Sequence, residues 1–203
     1  MKVKVCGMRE PKNIEAVAAL GPDYLGFIFY RESPRFVGDD FEMPKISRLI
    51  RKVGVFVNAT TEEILAKAVV HDLDFVQLHG HESIEQCQEL RQHNTLIIKA
   101  FSLDDKFNFQ LAKSYHGAVD YFLFDTKGKL FGGNATRFDW SVLERYDQQT
   151  PFFLSGGLKP EHMDEVKALT NMNIHAIDIN SGVEISPALK DVSKVEQVIT
   201  AMR

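Results

Sequence analysis

The chain has 203 residues, 44% hydrophobic and 26% charged, the balance of one globular domain or two small ones rather than of a disordered segment. No apolar run approaches the ~18 residues of a membrane span, and Lys2, Lys4, Arg9 and Lys12 interrupt the stretch where a secretory signal would be apolar, so a cytoplasmic protein without a membrane partner is expected. A net charge of −4 argues against nucleic acid as the partner, and two cysteines, Cys6 and Cys87, are too few for a disulfide scaffold and are expected to stay reduced.

Short β-branched or aromatic runs alternate with amphipathic stretches of roughly 10 residues, the signature of βα units around a parallel sheet. The first strand is expected at Lys2 to Cys6, followed by a helix that Pro11 opens and that turns Ile14, Val17 and Ala18 inward. Strands at Tyr24 to Phe29 and Val53 to Val57 come next, then a helix start where Thr60 and Glu63 fit a capping box. After a strand at Phe75 to Leu78, Ser83 and Gln86 fit a second box, and Ile84, Cys87 and Leu90 form an inward stripe. Leu96 to Ala100, Tyr121 to Phe124, Phe152 to Leu154 and Ala176 to Ile179 complete eight strands, and Val195, Val198, Ile199 and Met202 mark the last helix. Eight units in this length fit a compact α/β fold, a single-domain (β/α)8 TIM barrel with eight parallel strands over residues 1–203. The competing open doubly wound sheet often has a glycine-rich turn after its first strand, and here that turn holds only Gly7.

In such a barrel the active site lies at the C-terminal strand ends. The polar residues there are Cys6, Arg35 in the loop after the second strand, Gln77 and His79 around the fourth, Asp125 after the sixth and Asp178 in the eighth. The loops after strands seven and eight, which often bind phosphate, read SGG at Ser155 to Gly157 and NSG at Asn180 to Gly182. Cys6 fits either a small buried hydrophobe or an acid/base group; Lys4, two residues earlier on the same strand face, would favour its thiolate. Asp125 is equally readable as a helix cap, and Asp178 as a structural hydrogen-bond partner. His79 and His81 supply only two metal ligands, so no metal site is expected. Cys87 reads as core.

The ordered set KVKVCGM (2–8), DYLGFIFYRESPRFV (23–37), KVGVFVN (52–58), VQLHG (76–80), DTK with the following GG and FDW (125–140), LSGGL (154–158) and SGVE (181–184) resembles the phosphoribosylanthranilate isomerases of tryptophan biosynthesis, nearly end to end. The resemblance implies an Amadori rearrangement of N-(5-phosphoribosyl)anthranilate without cofactor or metal. By motif it implies Cys6 as general base, Asp125 as general acid, Arg35 on the anthranilate carboxylate, and Gly156, Gly157, Ser181 and Gly182 on the phosphate. Lys4, Gln77, His79 and Asp178 are expected to complete the substrate contacts, in a monomer or homodimer. The chemistry suits these residue types: ring opening needs a proton donor, C2 deprotonation a base, and the two ends of the substrate ask for oriented amides and a guanidinium fork. Two departures stand out. The glycine- and lysine-containing run after strand six becomes Gly132, Gly133, Asn134, Ala135 and Thr136, with Arg137 as a substitute cation, and the proline-glycine after SGVE becomes Pro187 and Ala188. The rival readings are a metal-dependent pentose-phosphate epimerase and a non-catalytic sugar-phosphate-binding barrel.

Overall fold

A computed structural model describes residues 1–126 and 139–203; the altered run from Gly132 to Arg137 lies outside the described residues. Eight parallel strands close into a barrel in chain order. They are β1 (Lys2–Val5), β2 (Tyr24–Ile28), β3 (Arg51–Phe56), β4 (Phe75–Leu78), β5 (Leu96–Leu103), β6 (Tyr121–Thr126), β7 (Phe152–Leu154) and β8 (Ile174–Ile179). All eight expected strands are present, their ends moved by up to three residues. β1 pairs with β8 to close the ring, bringing Lys4 opposite Asp178.

The helices follow their start signals with one exception. Pro11 opens α1 (Pro11–Ala19), where its missing N–H costs nothing. The Thr60/Glu63 capping box is complete at α2 (Thr61–Val70). At α3 (Ile84–Gln92) only half the expected box forms: Ser83 accepts from the Gln86 amide, but the Gln86 side chain donates to the Ala59 carbonyl instead of returning to Ser83. Short helices α4 (Phe109–Lys113) and α5 (Met163–Lys167) precede the terminal α6 (Val192–Met202), which Asp191 caps.

The regular βα repeat fails at the second crossover, where residues 29–50 form no helix. Pro34, Gly38 and Pro44 interrupt any helical run, and the segment covers the barrel by packing Phe36, Phe41, Met43 and Ile46 on the core. Among the described residues after β6, only a 3-10 segment, Trp140–Arg145, stands before β7.

Strand alternation divides the core in two. Val3, Val5, Leu25, Phe27, Phe122, Phe124, Ile177 and Ile179 face outward and meet helix stripes such as Ile14, Val17, Val195 and Val198. Tyr24, Val53, Phe75, Ile98, Ala100, Leu123, Phe153 and Ala176 fill the barrel interior. Near this plug, Tyr24 and His175 share a 2.7 Å hydrogen bond. Burial holds His175 down at about 4, so it is neutral at physiological pH. Past β8 a small antiparallel hairpin, β9 (Glu184–Ser186) and β10 (Leu189–Lys190), lies outside the barrel.

Candidate active site

Above the apolar plug the inward positions turn polar. Lys4 and Cys6 alternate with the outward Val3 and Val5, and the same parity brings Gln77, Asp125 and Asp178 inward from β4, β6 and β8. One pocket at the C-terminal strand ends is lined by Cys6, Arg35, Gln77, His79, Asp125 and Asp178, together with Ser155, Gly156, Gly157, Asn180, Ser181 and Gly182. Ile28, Tyr30, Val55 and Val57 give it an apolar wall. Thus nearly every residue singled out from the sequence meets in one place.

Lys4 differs from expectation. It is fully buried and absent from the lining, and its ammonium donates to Asp178 Oδ1 at 2.8 Å. It stands behind the lining, reaching the pocket only through Asp178 and Cys6. Burial alone would pull the Lys4 ammonium down, but Asp178 and Cys6 together outweigh that and keep it above its ordinary value. Cys6 shows the opposite contest. Burial pushes its thiol up, aided by Asp178, and outweighs the pull of Lys4 and Lys190 toward the thiolate, so the thiol stays above its ordinary value. Room for the thiol comes from β2: a methyl on Gly26 would lie 2.7 Å from the Cys6 sulfur.

On the facing side Asp125 Oδ1 accepts from the Thr126 amide at 2.8 Å, and its Oδ2 lies 3.6 Å from His79 Nε2. Gln77 Nε2 sits 2.7 Å from His79 Nδ1. An amide nitrogen only donates, so a neutral imidazole in this arrangement carries its proton on Nε2, toward Asp125. Gln77 Oε1 and His79 Nε2 are buried without a hydrogen-bond partner, the condition a polar ligand would relieve.

The two glycine loops touch each other. Gly156 and Gly157 adopt left-handed φ values of 101° and 61°, and a methyl on Gly182 would overlap the Leu158 carbonyl, so the second loop closes on the first only without a side chain there. Arg35 is 7% exposed, and its fork is already engaged: Nε and Nη2 donate to Glu184 at 2.8 and 2.6 Å. The edge made by Nε and Nη2, which an isolated arginine would offer first, is thus already taken, and the outer Nη edge is left toward the pocket.

The sequence reading missed Gly26, Glu184 and Lys190. Glu184 stood in the SGVE motif without a role, whereas Lys190 looks like any surface lysine until the hairpin register turns it inward. His79 is buried and His81 exposed, and among the described residues no group of three or more His, Cys, Asp or Glu is placed to hold a metal ion. Cys87 is core, its thiol pushed by burial to about 11.

A family model described as N-(5'phosphoribosyl)anthranilate (PRA) isomerase matches residues 3–201. The N-(5'-phosphoribosyl)anthranilate isomerase of Parabacteroides distasonis is 47% identical over 203 residues, covering 98% of this chain and 92% of that protein. Among solved structures, a phosphoribosyl anthranilate isomerase from Thermus thermophilus aligns with a TM-score of 0.85 at 27% identity, covering 100% of this chain and 98% of that one. Another, solved with reduced 1-(o-carboxyphenylamino)-1-deoxyribulose 5-phosphate, aligns with a TM-score of 0.84 at 31% identity, covering 99% and 97%.

Proposed function

This chain belongs to the N-(5'-phosphoribosyl)anthranilate isomerase family, and from that premise we propose how its residues divide the reaction: Cys6 the general base, Asp125 the general acid, the glycine loops the phosphate site and Arg35 the carboxylate site. The enzyme is an isomerase of tryptophan biosynthesis, carrying out the Amadori rearrangement of N-(5-phosphoribosyl)anthranilate to 1-(o-carboxyphenylamino)-1-deoxyribulose 5-phosphate. The observation that supports this division most is convergence: Cys6, Asp125, Arg35 and both glycine loops, from five parts of the barrel, line one pocket.

In the first step the nitrogen lone pair forms a C=N bond at C1 as the bond from C1 to the ring oxygen breaks, and Asp125 gives its proton to that oxygen. The iminium acidifies C2, and the Cys6 thiolate removes the C2 proton while the C=N electrons return to nitrogen. The resulting enol tautomerises to the ketone, its proton arriving at C1. His79, positioned by Gln77, faces the acid and would hydrogen-bond Asp125 or a sugar hydroxyl once the ligand draws the groups together. Asp178, held between Lys4 and Ser155, would accept from a ribose hydroxyl. Gly156, Gly157, Ser181 and Gly182 take the phosphate, and the wall of Ile28, Tyr30, Val55 and Val57 suits the aromatic ring.

We read residues 1–203 as one catalytic domain that works without cofactor or metal, in the cytoplasm, as a monomer or homodimer. Among the described residues no helix is long and apolar enough to cross a membrane. The test is to generate phosphoribosylanthranilate in situ and follow loss of anthranilate-type fluorescence, with and without EDTA. Acceleration over the spontaneous background, insensitive to chelator, is expected. No acceleration would overturn the reading, and loss with EDTA would favour the metal-dependent epimerase chemistry.

A further inference from the structure

The β9–β10 hairpin lies outside the barrel yet sends two charged side chains into its wall. Lys190 and Glu184 have side chains 0% and 6% exposed. Glu184 Oε1 accepts from Arg35 Nε at 2.8 Å, Lys190 Nζ at 2.7 Å and the Ala188 amide at 3.1 Å, and its Oε2 accepts from Arg35 Nη2 at 2.6 Å. Lys190 Nζ also donates to Asn180 Oδ1 at 2.7 Å and to the Asn180 carbonyl at 3.3 Å. Its backbone is fixed from the opposite side, where Asn13 both accepts from and donates to Lys190 at 2.8 and 2.9 Å.

One buried carboxylate therefore ties two buried cations. Such a cluster is a poor device for stability alone, because well-packed apolar residues often do as well once desolvation is counted. Its geometry instead restricts a long, rotamer-rich side chain that lines the pocket. We propose that Glu184 and Lys190 are positioning residues for carboxylate recognition: Glu184 holds the inner edge of Arg35, Lys190 braces Glu184 from behind, and the outer Nη edge of Arg35 is thereby presented to the ligand. This inference rests on the assignment of Arg35 made above.

The test titrates a reduced product analogue, and the same analogue lacking its carboxylate, into wild type, Arg35→Met, Glu184→Gln, Lys190→Met and the double variant Arg35→Met/Glu184→Gln. Glu184→Gln and Lys190→Met should each weaken the carboxylate-bearing analogue by about tenfold or more, with the other analogue changed by less than about threefold. In turnover they should raise KM more than they lower kcat. In the double variant the loss should be no larger than in Arg35→Met alone, since Glu184 would act only through Arg35. Glu184→Asp, which keeps the charge, should recover part of the discrimination. Equal weakening of both analogues, or additive losses in the double variant, would overturn the proposal and leave the hairpin a purely structural clamp. Failure of Arg35→Met itself to discriminate would instead remove the assignment on which the proposal stands. Thermal melts accompany each variant; should Glu184→Gln not fold, Lys190→Met, which leaves the Arg35–Glu184 pair neutral overall, decides by the same two titrations.

Discussion

Cys6→Ala and Asp125→Asn should each lower kcat by about 10² to 10⁴-fold while binding of a product analogue stays within a small factor, because proton transfer contributes to the transition state and little to ground-state affinity. Either variant keeping more than about a tenth of wild-type kcat would disqualify that residue from its role. At the phosphate end, Gly157 stands at φ 61°, a conformation that aspartate tolerates better than most side chains, so Gly157→Asp tests charge more than backbone strain. A carboxylate there should weaken phosphorylated ligands at least tenfold through close like-charge repulsion. Inorganic phosphate should inhibit the wild type competitively; non-competitive inhibition would move the phosphate elsewhere.

Among the elements, the hairpin carries a visible cost. Ala188 is fully buried with φ 66°, a left-handed conformation that costs an L-residue roughly 1 to 2 kcal/mol. Ala188→Gly should therefore raise stability to denaturant by about 1 kcal/mol, less whatever glycine adds to the entropy of the unfolded chain. No gain, or a loss, would show that the buried methyl contributes more packing than the backbone loses. A second buried pair holds the loop after β4: Lys99 Nζ meets Glu82 Oε2 at 2.8 Å and the carbonyls of Leu78 and Gly80. Lys99→Met leaves the buried Glu82 charge with backbone amide donors but no cation, so a loss of about 3 to 5 kcal/mol is expected in equilibrium unfolding. Such pairs also mark what could be read from the chain. Strand runs and cap signals depend on neighbours within a few residues, so the eight strands, Pro11 and the Thr60 box were legible. The second crossover was legible only in part: Pro34, Gly38 and Pro44 argue against a helix there, but the path of the cover depends on where Phe36 and Phe41 find the barrel. Cys6, Asp125 and the glycine loops were legible through parity and motif; the Lys190–Glu184–Arg35 cluster depends on contacts between distant segments, which no local pattern announces.

For the molecule as a whole, buried charge sets the response to pH. Glu82 and Glu184 are pushed up by burial, but their cations and donors outweigh this and hold both below the ordinary carboxylate range. Their contribution is full above the unfolded value of about 4.3 and is lost as pH falls through the lower folded values, so acid unfolding should set in below about pH 4. Lys190 works in the other direction: burial lowers it to about 8, partly opposed by Glu184. Between that value and the unfolded one near 10.5 the unfolded chain binds more protons, so wild type should gain on Lys190→Met as pH rises from 8 to 10. Parallel pH series of denaturant unfolding would check both signs; a difference that stays flat or shrinks would contradict the second.

The seam between β1 and β8 has a consequence in time. Lys4 and its counter-charge Asp178 are 174 positions apart, so a ribosome adding roughly 5 to 20 residues per second exposes the first strand for many seconds before the last one exists. Until β8 docks, the lysine beside the thiol has no carboxylate and the nascent chain has no second glycine loop. Turnover should therefore appear only with the final closing event, and in refolding from denaturant the return of activity should coincide with the slowest structural phase rather than precede it.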